Sequence, residues 1–280
     1  MPVRAIIAFI LSLLTAGSAY AFAPYSVSPY TLSSPPSASL SWQKLFYVYT
    51  EALRAGDSKK AEATLNSLLD LAKSLKDDSK LSTVADELAD LYISAGRYRE
   101  AASAYLMSIE ALKNSKGAND AAVGAHYCKL SSVYIDENLY ARAEGATTTA
   151  LEIIRKSLGQ GSLGAAVCLH NLAWLEARRG AFSDAEKNYL ASMEIFQNQD
   201  NSFDVLAGLS ANNLAEIFVH EHRFLEAERF YERAINILVG KLEDDDMMIT
   251  IMKNYTHVLR VNHKAQAART FETKWGLTRR

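Results

Sequence analysis

This sequence contains a repeat of about 42 residues, which restricts the folds that the chain can adopt. Leucines recur at this interval, each followed by a small residue, and a series of aromatic residues keeps the same register. The leucines are Leu88, Leu130, Leu172 and Leu214, and the aromatic residues are Tyr98, Tyr140, Phe182 and Phe224. An alanine series extends the register in both directions, through Ala61, Ala101, Ala143, Ala185, Ala227 and Ala268. Several series in one register predict a protein built from one repeated structural unit.

Each unit contains two segments in which apolar residues recur every three or four positions, as on one face of a helix. Leu214 and Phe218 belong to the first segment of one unit, and Phe224, Ala227 and Tyr231 belong to the second. All five prolines precede residue 37, so no later helix is interrupted by a missing backbone donor. Strand signals are absent from the sequence. The sequence therefore predicts an all-α protein made of helix pairs.

Two motifs within the repeat identify its type. Leu-small-x-x-Tyr occurs at Leu88–Tyr92, and Gly-x-Tyr-x-x-Ala follows it at Gly96–Ala101. Together they resemble the tetratricopeptide repeat (TPR) family, in particular the longer repeats of kinesin light chains. Three positions depart from the pattern: Glu176 replaces an aromatic residue, Thr147 replaces the tyrosine of other units, and Glu137-Asn138 replaces the turn glycine. We expect these departures to weaken two contacts between helices without changing the register.

The resemblance implies a right-handed α-solenoid of about six stacked helix-turn-helix repeats, in which the first helices line a concave surface. Stacking is also required physically, because one helix pair cannot bury its own apolar face. We place the repeats at approximately 40–78, 79–119, 120–161, 162–202, 203–246 and 247–275, followed by a tail at 276–280. The outer two are degenerate, as terminal capping repeats commonly are.

The first residues have the composition of a secretory signal peptide. Arg4 supplies the positive charge, residues 5–14 the apolar segment, and Ala19-Tyr20-Ala21 a cleavage site. We predict a signal peptide at 1–21 and a linker rich in proline and serine at 22–39. The mature protein would be periplasmic or secreted, without a membrane span. The alternative is an uncleaved membrane anchor, because residues 5–23 are almost continuously apolar and about 19 residues nearly span a bilayer.

Composition also bears on nucleic-acid binding and on disulfide formation. The 30 basic and 32 acidic residues are spread along the chain, so the sequence predicts no affinity for nucleic acid. The two cysteines, Cys128 and Cys168, fall on neighbouring repeats. Adjacent packed helices are about 8–10 Å apart, which is farther than a disulfide usually spans. We therefore expect buried free thiols rather than a disulfide.

Candidate binding residues follow from helix geometry, since residues four apart on a helix share a face. The face opposite the packed leucines and small residues is expected to line the concave surface. The candidates in the later repeats are His170, Asn171, Trp174, Arg178, Asn212, Asn213, Glu216, Lys253, Asn254 and His257. The same face carries Asp86 and Asp90 in the second repeat, and Cys128, Ser132 and Asp136 in the third. We expect this surface to change from acidic to basic along the solenoid.

Three of these candidates form a series, because Asn171, Asn213 and Asn254 each directly precede the landmark Leu or Tyr of a repeat. An asparagine amide can donate to a peptide C=O and accept from its N–H irrespective of sequence. The resemblance implies such a role, since similar asparagine ladders in TPR superhelices hold extended peptides. In the alternative interpretation, these asparagines cap turns or bond neighbouring helices within the repeat.

Trp174 also has two interpretations. In an open groove it could anchor a ligand, since aromatic residues dominate interface energetics, whereas turned inward it is part of the core. His170 and Arg178 share its face, and their charges would favour an acidic or C-terminal carboxylate group on the partner. A solvated surface would explain the same two residues.

The sequence thus predicts an exported module that binds a protein or peptide partner in its groove and is not an enzyme. Phosphate-binding loops and nucleophile elbows are absent from it, and His220-Glu221-His222 places its two imidazoles on different helix faces. Neither a metal nor a cofactor is expected. The alternative function is a structural or assembly subunit of a cell-envelope complex that associates, or self-associates, through the solenoid edges.

Overall fold

A computed structural model describes residues 36–198, 204–241 and 245–277 of the chain. Its described part contains twelve α-helices and no strand, which confirms the predicted all-α repeat fold. None of these helices is long and apolar enough to cross a bilayer. The predicted signal peptide, most of the predicted linker and the end of the predicted tail lie outside the described residues.

The described residues form two compact units, the N-terminal unit (36–158) and the C-terminal unit (159–277). The helices of the N-terminal unit are α1 Pro36–Arg54, α2 Ser58–Leu75, α3 Asp78–Ser94, α4 Tyr98–Lys116, α5 Ala121–Asp136 and α6 Tyr140–Leu158. They pack as the pairs α1/α2, α3/α4 and α5/α6, and contacts of α2 with α3 and of α4 with α5 join the pairs. Each pair thus buries its apolar face against the next one.

The C-terminal unit repeats this arrangement. Its helices are α7 Leu163–Arg178, α8 Phe182–Gln197, α9 Asp204–His220, α10 Phe224–Leu238, α11 Asp245–Val261 and α12 Ala265–Trp275. The pairs are α7/α8, α9/α10 and α11/α12, and contacts of α8 with α9 and of α10 with α11 join them. The first helix of each pair therefore precedes the predicted turn, and the second follows it.

The alanine series explains how closely the paired helices approach. All six alanines from Ala61 to Ala268 are completely buried. A methyl side chain lets two helix backbones come together, while larger side chains fill the space beside the contact. Tyr105, Tyr189 and Tyr231 are such side chains, exposed by 2%, 1% and 2%. The alanine positions of the repeat are therefore core positions.

Two helix crossings are closer still and require glycine. A Cβ atom on Gly124 would lie 2.7 Å from the Ile154 Cγ1 atom, and one on Gly208 would lie 2.6 Å from the Leu238 Cγ atom. Both distances are shorter than van der Waals contact, so a side chain at either position would force the second helix of the pair outward. Ala166, which is fully buried, occupies the repeat position between the two glycines.

The turn within each pair places one residue in the left-handed region, where glycine is favoured. Gly96 and Gly180 occupy this position with φ angles of 71° and 83°. At corresponding positions, Asn138 and His222 both have a φ angle of 59°, and His263 has one of 61°. The loss of the turn glycine at Asn138 therefore leaves the turn conformation unchanged.

The other two departures from the repeat pattern replace apolar contacts with polar ones. Thr147 is fully buried, and its Oγ1 atom lies 2.6 Å from the Ser131 Oγ atom on the paired helix. Glu176 is only 6% exposed and accepts a 2.8 Å hydrogen bond from the Asn188 Nδ2 atom on α8. Buried polar groups with such partners are tolerated in a core. The register of both helix pairs is preserved.

Arginines at the end of the turn join successive helix pairs. The Arg223 Nη1 atom lies 2.7 Å from the Glu186 Oε2 atom of the preceding pair, and the guanidinium carbon is 4.2 Å from the centre of the Phe218 ring. Arg97 and Glu62 form the corresponding bridge in the N-terminal unit, also at 2.7 Å. The two arginines are three repeat periods apart and occupy the same register position, whereas Leu139 and Ala181 occupy it in the two turns between them.

The two cysteines are core residues. Cys128 is 1% exposed and Cys168 is completely buried. Neither forms a disulfide, which confirms the prediction of buried thiols.

Candidate functional site

The ten residues predicted to bind a partner all lie in the C-terminal unit, on the first helices α7, α9 and α11 of its pairs. Burial divides them into three groups. The buried residues are His170, Asn171 and Asn212, the half-buried ones are Trp174, Asn213 and Asn254, and the exposed ones are Arg178, Glu216, Lys253 and His257. Neighbouring helices therefore cover part of the predicted face, and three of its ten residues are buried.

Asn213 lies between two hydrogen-bond partners. Its Nδ2 atom donates to the Tyr189 hydroxyl on α8 at 3.0 Å, and its Oδ1 atom accepts from the Asn212 Nδ2 atom at 3.3 Å. An asparagine amide offers two N–H donors and two lone pairs. These bonds leave one N–H group and one acceptor position of Asn213 for a ligand.

Asn254 occupies the equivalent position in the next helix pair. Its side chain lies beside the hydroxyl of Tyr231, which lies on α10, the second helix of the preceding pair. The hydrogen bond from Asn213 to Tyr189 joins successive pairs, whereas the alternative interpretation of the asparagines placed such bonds within one repeat. We name as the asparagine face the surface formed by Asn212, Asn213, Glu216 and Asn254.

His170 is enclosed within the C-terminal unit. Its Nδ1 atom lies 2.7 Å from the Ser210 Oγ atom, and its ring packs edge-on against Tyr189 with 5.3 Å between centroids. Burial lowers the pKa of His170 to about 4, so the imidazole is neutral at pH 7. This corrects the expectation of a positive charge at His170, because a neutral buried ring does not attract an acidic group on a partner.

Asn212 is buried beside an exposed carboxylate. Its Nδ2 atom donates to the Glu216 Oε1 atom at 3.1 Å. Partial burial raises the pKa of the Glu216 carboxyl, and the hydrogen bond from Asn212 opposes this shift. Across the described residues, Asn212 Oδ1 is the one buried side-chain nitrogen or oxygen atom without a hydrogen-bond partner. The asparagine face thus contains one unsatisfied acceptor.

Trp174 contributes to the core, as one of its two interpretations predicts. Its side chain packs against the hydrophobic core of the C-terminal unit and is half-buried. The guanidinium carbon of Arg178 lies 5.5 Å from the centre of its ring, a distance typical of a cation–π contact. Part of the ring therefore stabilises the core, and part is available at the surface.

The N-terminal unit has a polar cluster at the corresponding face. Asp86, Glu87 and Asp90 lie on α3, and His126 and Lys129 lie on α5. The Lys129 Nζ atom is 2.8 Å from the Asp86 Oδ1 atom and 3.7 Å from the Asp90 Oδ2 atom. The His126 Nε2 atom is 3.1 Å from the same Asp86 oxygen. Because Lys129 lies among these carboxylates, this face is mixed in charge rather than purely acidic as expected.

The carboxyl groups of this cluster differ in their acidity. Burial opposes ionisation of Asp86, but hydrogen bonding by His126 and the charge of Lys129 outweigh it and lower the pKa of Asp86 to about 2. Burial and the charge of Asp86 raise the pKa of both Glu87 and Asp90. A single cation therefore stabilises mainly one of the three carboxylates.

Two tyrosines complete the cluster. The Tyr49 hydroxyl donates to the Glu87 Oε2 atom at 2.5 Å, and the Tyr105 hydroxyl donates to Asp90. The sequence pattern indicated the two aspartates but not Glu87 or Lys129. Both directly precede landmark leucines, as two of the asparagines do, so the repeat register contains the signal that would have found them.

Comparisons with known proteins agree with this architecture. The sequence model described as tetratricopeptide repeat matches residues 121–198. None of the curated proteins shows significant similarity to the chain. The solved structures that the chain resembles include TPR and kinesin-light-chain-like repeat proteins.

Three solved structures illustrate the likeness. BtubC from P. vanneervenii superposes with a TM-score of 0.61 at 20% identity, over 86% of this chain and 90% of that one. A tetratricopeptide repeat protein from Parabacteroides merdae gives 0.58 at 15% identity, over 84% and 78%. PilF from Pseudomonas aeruginosa gives 0.56 at 13% identity, over 85% and 91%. Residues 121–198 thus match a tetratricopeptide repeat, and the chain shares the all-α repeat fold of these structures.

Proposed function

We propose that this protein binds a polypeptide segment at the asparagine face of its C-terminal unit. The observation that carries the proposal is the 3.0 Å hydrogen bond that Asn213 donates to the Tyr189 hydroxyl, with Asn254 beside Tyr231 at the equivalent position of the next pair. Tyr189 holds the Asn213 amide in one orientation and leaves part of the amide's hydrogen-bonding capacity unused. TPR-type repeats generally mediate protein–protein interactions, which supports the same conclusion.

Such fixed amides suit the recognition of a main chain. An amide can pair with a peptide N–H and C=O whatever the side chains are. Because the bond to Tyr189 already restricts the rotation of the Asn213 amide, binding there costs less conformational entropy than with a freely rotating side chain. Exposed Lys253 and His257 on α11 extend the polar surface beyond the amides.

The proposed activity is binding without catalysis. The repeat fold is typically a non-catalytic scaffold.

The proposal is tested by partner capture with variants of the asparagine face. The tagged chain is used to isolate a partner from its native envelope, and the affinity of that partner is then measured. Replacing both Asn213 and Asn254 by Ala should weaken binding about tenfold, because two neutral hydrogen bonds are lost. Asn236→Ala, at an exposed position on α10, is the matched control. Unchanged affinity in the double variant, with helical content preserved by circular dichroism, would refute the proposal.

We further propose that the protein is exported and that binding occurs in the periplasm or outside the cell. The support is the sequence of residues 1–21, with its charged, apolar and small-residue segments. Mass spectrometry of the protein isolated from cells should find Phe22 as the first residue. An intact Met1 in the isolated protein would contradict cleavage and favour the membrane-anchored alternative.

A further inference from the structure

Four side chains of the C-terminal unit form a continuous chain of hydrogen bonds across the asparagine face. The Asn212 Nδ2 atom donates to the Glu216 Oε1 atom at 3.1 Å and to the Asn213 Oδ1 atom at 3.3 Å. The Asn213 Nδ2 atom donates in turn to the Tyr189 hydroxyl at 3.0 Å. We name this series of bonds, from Glu216 through the two asparagines to Tyr189, the amide relay. Every bond in it joins a nitrogen donor to an oxygen acceptor, so the relay has a direction.

The Tyr189 end of the amide relay does not determine this direction. A hydroxyl both donates and accepts, so it could bond either the nitrogen or the oxygen of the Asn213 amide. The two asparagines have the same ambiguity, because each amide carries donors on one side and an acceptor on the other. The group that selects the direction must therefore be one that only donates or only accepts.

Within the amide relay, Glu216 is that group. An ionised carboxylate only accepts hydrogen bonds, and a carbonyl oxygen turned toward it would be repelled. Asn212 therefore directs its nitrogen toward Glu216, and the same nitrogen reaches the Asn213 oxygen. With its oxygen bonded there, Asn213 meets Tyr189 with its nitrogen.

Burial of Asn212 does not explain its orientation. The residue is 9% exposed, and its Oδ1 atom is buried without a hydrogen-bond partner among the described residues. The opposite orientation would bury the Nδ2 atom unpaired instead, so both orientations are costly. The bond to the carboxylate is what distinguishes them. A local cost of this kind is expected mainly at functional sites.

The polarity of the Asn213 amide matters for an extended main chain. A main-chain residue presents its N–H and its C=O in a fixed order along the chain. The Asn213 amide has one N–H group and one acceptor position left to pair with them. Exchanging the nitrogen and the oxygen of this amide would set donor against donor and acceptor against acceptor for a main chain that keeps its direction.

We infer that Glu216, acting through Asn212, is a positioning residue that fixes the polarity of the Asn213 amide and with it the direction in which the bound main chain lies. The neighbouring first helices α7 and α11 carry Trp174 and His257 at the position of Glu216, so within the C-terminal unit the carboxylate is a feature of α9. This inference rests on the proposed function, because it concerns the orientation of an amide that is proposed to bind the polypeptide.

The direction of the amide relay is measured first, in the full chain without a ligand. The chain is labelled with 15N and 2H, with protonated tyrosine rings, and the NOE between the Asn213 side-chain amide protons and the Tyr189 ring is recorded. Glu216→Lys places a donor-only ammonium at this exposed position, so the relay should reverse and the NOE should be lost. Glu216→Gln, which can both donate and accept, should populate both directions and reduce the NOE to about half. Glu194→Lys, the same charge reversal at an exposed position of α8, should leave the NOE unchanged.

The affinity of the captured partner then tests the consequence for binding. It is measured at high salt, where exposed charges are screened. We expect Glu216→Gln to bind about twofold more weakly, because only about half of the molecules present the correct polarity. Glu216→Lys should bind about tenfold more weakly, because the reversed amide no longer pairs with the main chain.

An NOE that persists in Glu216→Lys would overturn the inference, and so would an unchanged affinity in a variant that has lost the NOE. Neither result refutes the proposed function, which depends on the separate loss of affinity when Asn213 and Asn254 are both replaced by Ala. If that double variant keeps its affinity while the NOE follows the expected series, the proposed function fails, and with it the role of the amide relay in binding.

Discussion

His170 shows how burial changes the chemistry of a single residue. With its pKa lowered to about 4, the imidazole stays neutral in the folded chain well below pH 7. In the unfolded chain it titrates near the ordinary histidine pKa of about 6.5. Between these values the unfolded state binds more protons, so the C-terminal unit should lose stability as the pH falls from about 6.5 to about 4.

Replacing His170 by Gln should remove this contribution, because glutamine does not titrate. Chemical unfolding of both proteins at pH 7 and pH 4.5 measures the contribution of His170 to the change in unfolding free energy. On acidification, the free energy of unfolding of the unmodified protein should fall by on the order of 2 kcal/mol more than that of His170→Gln. Equal losses in the two proteins would show that His170 has the same pKa in the folded and unfolded chains, and would contradict its lowered folded pKa.

At the same scale, the sequence predicts backbone conformation better than side-chain environment. Asn138 and His222 adopt the left-handed turn because the repeat register demands it at those positions. His170 and Asn171 follow the register too, but their burial depends on side chains from neighbouring helices. A periodic pattern along one helix contains no information about what covers it.

At the scale of helices and pairs, the repeat predicts the elements because apolar spacing, the turn residue and small contact residues all agree. The bridge from Arg223 to Glu186 was not predicted, since its partners are 37 residues apart and belong to different pairs. The bridge depends on how two pairs stack, which the sequence of one pair does not determine.

The Arg223 bridge should stabilise the contact between α8 and the α9/α10 pair. Its guanidinium pairs with Glu186, Glu221 and Glu226 and lies over the Phe218 ring. Exposed ion pairs contribute little singly, but a network with a cation–π contact is expected to be worth about 1–2 kcal/mol.

Urea unfolding of Arg223→Ala measures this contribution. The variant should lose about 1–2 kcal/mol of unfolding free energy, and the loss should shrink at high salt. Arg229→Ala, an exposed change on α10, should lose less than about 0.5 kcal/mol. Similar losses in the two variants would mean that the bridge contributes nothing specific.

At the scale of the whole molecule, the two units have different polar side chains on equivalent helices. The N-terminal unit has carboxylates that share one lysine, and the C-terminal unit has asparagines, one of which is held by a tyrosine. The register predicted which positions would carry polar side chains. The partners that fix Asn213 and the unpaired oxygen of Asn212 could not be predicted, because they depend on distances between helices.

The central claim is that the asparagine face binds a polypeptide, and hydrogen exchange tests it most directly. Backbone amide exchange is measured by mass spectrometry for the full chain, alone and saturated with its captured partner. We expect slower exchange on binding in α9 and α11, which carry the asparagine face, and unchanged exchange in α12. Protection confined to the second helices α8 and α10, or to the N-terminal unit, would contradict the claim.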